Sequence, residues 1–169
     1  MAQIRASFQD APFGIRRMVE WMIVAGIILL LVWVFARQLR VLQGQVELSA
    51  VKTTLAALRT ALVIDHLRKS AASDDTAAAL AQHNPFELLQ RYPVNYIGEM
   101  NPEQAALAPS GTWVFDPNCV CVGYQPIWGE WLDSTSGALM PWFRISAVPG
   151  SFLQLTAKEN YRWQGQALN

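Results

Sequence analysis

The run WMIVAGIILLLVWVFA, Trp21–Ala36, holds sixteen residues without a single charge. As a helix it covers roughly 24 Å, short of the ~30 Å hydrocarbon core of a bilayer. Met18 and Val19 extend it, but only by drawing Glu20 to the membrane boundary. A carboxylate there is disfavoured, less so at the interface than at mid-bilayer. A signal peptide is the competing reading. The run is longer than the apolar part of such a peptide, no A-x-A-like cleavage site follows, and VFARQLR continues as helix. The expectation is therefore an uncleaved anchor, with Trp21 and Trp33 near the two interfaces.

Positive charges decide orientation only weakly. Arg5, Arg16 and Arg17 precede the span, and Arg37, Arg40 and Lys52 follow it. The short N-terminal tail and the large C-terminal part favour an N-terminus inside and a domain outside.

No proline lies between Pro12 and Pro85, so helix is expected to continue past the span, from about residue 16 to 70. Such a helix is roughly 80 Å long. Leu48, Val51, Leu55, Leu58 and Leu62 recur every three or four residues and form one apolar stripe. Gln45, Glu47, Lys52, Arg59 and Thr60 are assigned to the opposite, polar side. The stripe suits a coiled-coil seam or a cover for the chain's own sheet. At about two clean heptads it is too short for a firm coiled coil, and the sheet is expected. SAASDD supplies the stop, with Asp74 and Asp75 as solvated capping residues of a helix–helix turn.

Beyond it, HNPFELLQRY reads as a brief helix with Asn84 as cap and Pro85 first. NYIGEMNPEQAALAPSG reads as loop with one short helical turn. TWVFDPNCVCVGYQP gives two strands, Thr112–Phe115 and Cys119–Tyr124, around an Asp-Pro-Asn turn. PWFRISAVPGSFLQLTA gives two more around Pro-Gly, with Phe143, Ile145 and Ala147 alternating against Arg144 and Ser146. A long helix followed by about four antiparallel strands is an α+β fold, in which the helix stripe covers the sheet. The divisions are a tail over 1–17, a span over 18–38, an amphipathic helix over 39–72, and a loop region and sheet over 73–169.

Chemistry is sparse. Cys119 and Cys121 read as two small half-buried thiols on one strand, with a disulfide or redox pair as the alternative. His66 reads as a helix-surface residue, His83 as part of a loop and Asp116 as a turn residue. No catalytic or phosphate-binding motif is present, so no enzymatic activity, metal or cofactor is expected. Zero formal net charge provides no basic face for nucleic acid. Trp113, Trp128, Trp131, Trp142 and Trp163 crowd the last third, where they serve a small core or a partner surface.

EWMIVAGIILLLVW from Glu20, LAALRTALVIDH and GTWVFDPNCVCVGYQP together resemble the type IV pilins and type II secretion pseudopilins. They are most similar to minor or accessory proteins of mannose-sensitive haemagglutinin-type pili. The resemblance implies a pilin-like fold and a non-enzymatic component that acts by subunit contacts. It implies a bacterial inner-membrane location with the domain in the periplasm. Its partners would be other pilin or pseudopilin subunits, inner-membrane platform proteins and membrane lipid. Subunit contacts are then expected at Glu20, Arg16 and Arg17, and along the stripe at Leu48, Val51 and Leu55. In that family the leader is cut after a glycine and the glutamate stands fifth; a cut after Gly14 would place Glu20 sixth. The residues before Gly14 are not basic either, so no processing is expected. Two alternatives remain. One is a bitopic inner-membrane scaffold, a type built on a ferredoxin-like domain with two βαβ halves. The other is a membrane-tethered envelope enzyme or ligand-binding module.

Overall fold

The structure, a computed structural model, describes residues 13–71, 83–147 and 153–168. Arg5, Asp74, Asp75 and the Pro149–Gly150 turn lie outside the described residues. Helix α1 runs Phe13–Ala71. The chain divides into two compact units, Met1–Gln43 and Gly44–Asn169. In the first, the apolar side chains of α1 are exposed, among them Trp21, Leu29 and Phe35.

In the second unit, α1 turns its stripe inward. Leu48, Val51, Leu55, Leu58 and Leu62 are at most 4% exposed and share one core with Trp113, Phe115, Val122, Phe143 and Leu155. The three-and-four spacing of the leucines is met by a sheet face, as expected for an amphipathic helix that covers a half-buried sheet.

The expected brief helix is a 3-10 turn, Pro85–Leu88, capped by the Asn84 side chain, which accepts from the Phe86 N–H at 3.1 Å. The Asn84 amide also donates to the Tyr96 hydroxyl at 2.7 Å, so the cap is tied to the sheet as well.

The main sheet departs from the sequence reading in count and direction. It has five strands, β1 Tyr96–Glu99, β2 Thr112–Asp116, β3 Cys121–Gln125, β5 Trp142–Ala147 and β6 Leu153–Ala157, in the order β1-β2-β3-β5-β6. Both expected hairpins form: β2 pairs antiparallel with β3, and β5 with β6. β1 adds a parallel strand beside β2, which makes the sheet mixed rather than antiparallel. A parallel neighbour requires a crossover of about a dozen residues, and residues 100–111 supply it. They include a one-turn helix, α2 Pro102–Ala105, held by a reciprocal Asn101–Gln104 capping box. A second, three-stranded sheet joins β4 Leu132–Asp133, β7 Arg162–Trp163 and β8 Gln166–Ala167. The β7–β8 turn is Gln164-Gly165, both at positive φ (48° and 77°), the geometry that tight hairpins prefer.

Cys119 lies in the β2–β3 turn rather than on the strand, and it is joined to Cys121 by a disulfide. This replaces the expectation of two thiols on one strand. Val120 between them has φ 52°, so the chain turns instead of extending, and the two Cα atoms stand 5.2 Å apart.

Candidate functional site

The first feature is the exposed apolar part of α1 with its two charged ends. This helix is long and apolar enough to cross a membrane, and its most apolar stretch is entirely exposed. At its N-terminal end Arg16 Nε lies 3.6 Å from Glu20 Oε1, an i,i+4 ion pair whose two side chains are 66% and 62% exposed. Arg17, the next residue on the same turn, is exposed as well. At the other end the Arg37 guanidinium lies over the Trp33 ring, 5.9 Å from its centroid.

Of the residues expected at subunit contacts, Arg16, Arg17 and Glu20 are therefore together and accessible. Leu48, Val51 and Leu55 are not available, because the protein's own sheet covers them. The stripe is spent inside the domain.

The second feature is a buried carboxylate. Glu47, assigned by the sequence to the polar side of the helix, is only 6% exposed. Its Oε1 accepts from the Tyr124 hydroxyl at 2.9 Å and from the Ile127 N–H at 2.7 Å, and its Oε2 accepts from the Trp128 N–H at 3.1 Å. One side chain thus ties α1 to β3 and to the loop after it. A signal was available: Glu47 stands four residues before Val51 and eight before Leu55, on the flank of the stripe. What the sequence lacked was its partner set, some eighty positions away.

Close by, Gly44 and Trp163 form a third contact of α1 with the domain. The Trp163 indole N–H donates to the Gly44 carbonyl at 3.0 Å, and Trp163 is fully buried. A Cβ at Gly44 would come within 3.0 Å of Trp131 Cδ1, so the absence of a side chain is what lets that ring approach. The tryptophans of the last third accordingly serve packing: Trp113 and Trp163 are core residues, and Trp128, Trp131 and Trp142 pack against the two clusters.

Burial pushes the Tyr124 phenol well above its ordinary 10.0, and the neighbouring Glu47 charge and its hydrogen bond push it the same way. The consequence is an alkaline instability. Below pH about 10 the folded and unfolded chains both hold the phenolic proton. Above it the unfolded chain releases the proton while the folded chain keeps it, so stability falls as pH rises. Urea unfolding between pH 9 and pH 12 is expected to show this fall, and Tyr124→Phe to make it shallower. An equal slope in both chains would assign the loss to other groups, such as Tyr96 and Tyr161, whose phenols burial also raises.

Among the described residues no three His, Cys, Asp or Glu side chains converge as metal ligands. Two depressions of about 500 Å³ are open to solvent, one lined by Leu48, Ser49, Lys52 and Gln166, the other by Arg59, Leu155 and Lys158. His66 lies on α1, apart in sequence from both linings.

No protein-family model, no curated protein and no solved structure matches the chain.

Proposed function

We propose that the chain is a single-pass, membrane-anchored, pilin-like component of a type IV pilus or type II secretion assembly, minor or accessory in role. It acts by subunit contacts and not by catalysis. The observation that carries this reading is the division of labour along α1. Its first part exposes apolar side chains on all sides, and its second part is the amphipathic cover of a sheet. An anchor that continues as the spine of its own domain suits a protein whose neighbours meet it within and just above the bilayer. In this reading the N-terminus is cytoplasmic and the domain periplasmic. The parallel strand β1 is the point of departure from the antiparallel sheet that the resemblance implies.

Glu20 is the residue through which subunits meet. Its ion pair with Arg16 is long and exposed, so little is lost when a positive group of a neighbouring subunit replaces Arg16. A neighbour's positive group that would otherwise stand alone in lipid gains a counter-ion by this exchange, while Arg16, nearer the helix end, is left to water. Glu20→Ala is expected to reduce recovery of neighbouring subunits after crosslinking in membranes by about tenfold, the equivalent of one buried charge pair of modest strength. Unchanged recovery would remove Glu20 from the contact.

The β1–α2–β2 unit supports a second reading, a bitopic scaffold of the inner-membrane platform, because that unit is one parallel crossover of the kind such scaffolds contain twice. Among the described residues there is no second parallel pair. Crosslinks to platform proteins without crosslinks to pilins would favour it.

A further inference from the structure

The two ends of the apolar helix differ in how their arginines are neutralised. At the N-terminal end Arg16 has Glu20 as a counter-ion within the chain. At the other end Trp33, Arg37 and Arg40 stand at positions i, i+4 and i+7, on one face, and all three side chains are exposed. Among the described residues of the first unit the one carboxylate is Glu20, which is paired with Arg16, so that unit supplies no counter-ion to Arg37 or Arg40. The nearest acidic residue along the helix, Glu47, is buried and committed to Tyr124, Ile127 and Trp128. The Arg37 guanidinium lies over the Trp33 ring at 5.9 Å, an attraction that leaves its charge without a counter-ion.

We infer that Trp33, Arg37 and Arg40 form a binding site for the phosphodiester of an anionic phospholipid, of the phosphatidylglycerol type. The inference rests on the membrane-span reading above and names the lipid chemistry that it requires. An indole ring prefers the headgroup level. Beyond it, toward water, the helix rise places Arg37 about 6 Å and Arg40 about 10 Å further along the axis, the depth at which lipid phosphates lie. A guanidinium presents paired N–H donors that match two phosphate oxygens. Two guanidiniums on one face prefer a headgroup with net negative charge to a zwitterionic one, whose own cation competes for the phosphate. A phosphate supplied free in solution offers the same chemistry, and the test separates the two sources.

The experiment reconstitutes the full chain in vesicles of phosphatidylcholine with a minor fraction of phosphatidylglycerol. Bromine is carried on the acyl chains of one lipid or of the same fraction of the other. Trp33 fluorescence is obtained as the difference between the Trp21→Phe chain and the Trp21→Phe/Trp33→Phe chain. Bromine on phosphatidylglycerol is expected to quench Trp33 about threefold more than bromine on phosphatidylcholine, because two arginines enrich the anionic lipid around them. Arg37→Gln with Arg40→Gln is expected to remove the difference while quenching by phosphatidylcholine persists. Equal quenching by the two lipids in the chain with both arginines would overturn the site and leave the span intact. A preference that survives the glutamine pair would overturn it as well. Loss of the preference in millimolar inorganic phosphate would assign the site to a free anion. Absence of quenching by either lipid would overturn the span itself, and the lipid site with it.

Discussion

Glu47→Ala is expected to destabilise the domain by about 3 kcal/mol, read as a lower urea midpoint for the full chain in detergent. The substitution deletes an acceptor and leaves three donors behind: the Tyr124 hydroxyl and the N–H groups of Ile127 and Trp128. A buried donor left without a partner costs about 1–3 kcal/mol, and water entering the vacated space recovers part of the sum. Glu47→Gln keeps one carbonyl oxygen but turns an amide toward donors, so about half of the loss is expected. Tyr124→Phe removes one donor and leaves the Glu47 carboxylate its two backbone N–H donors, so about 1 kcal/mol is expected. The double variant Glu47→Ala/Tyr124→Phe should then be less destabilised than the two single losses added together. Strict additivity would mean that the hydroxyl and the carboxylate do not interact.

Trp163→Ala is expected to be the more damaging, at about 4 kcal/mol. The ring is fully buried in the main core, and its N–H is bonded to the Gly44 carbonyl of α1. Loss of the ring opens a cavity between β7 and the helix, and loss of the N–H frees the first helical turn of the domain. Trp163→Phe keeps most of the apolar volume and drops the hydrogen bond, with about 1–2 kcal/mol expected. Amide hydrogen exchange separates the two effects. In Trp163→Phe faster exchange is expected only near Gly44–Leu48, whereas in Trp163→Ala it extends across the domain. Uniform exchange in both chains would deny the indole N–H a local role.

Both residues show where the sequence was readable and where it was not. The helix stripe was legible because its periodicity is a property of one contiguous segment, and all five stripe residues are buried. Both hairpins were legible because turn chemistry and alternation are equally local, as is the Asn84 cap. The strand β1 was not. Four residues, one of them Gly98 at φ 109°, carry no clear alternation, and their pairing with β2 is parallel across a crossover. The small sheet is built from two-residue strands, which have no period to detect. Glu47 looked like a solvated charge because a helical wheel shows position and not what another segment brings to it.

Of the expected contact residues, Arg16 and Glu20 stand four apart on one helix, and the structure pairs them. Leu48, Val51 and Leu55 illustrate the opposite case. An apolar stripe announces that something covers it, and here the cover is the chain's own sheet.

The most direct test of a subunit contact through the membrane helix is site-specific photocrosslinking in native membranes. A photoreactive residue replaces Ile28, midway along the exposed apolar run, in chains with Glu20 and with Glu20→Ala. Adducts with another membrane-spanning subunit of a pilus or secretion assembly are expected when Glu20 is present, and their loss when it is alanine. Adducts of equal yield in both chains, or adducts with lipid alone, would contradict that contact.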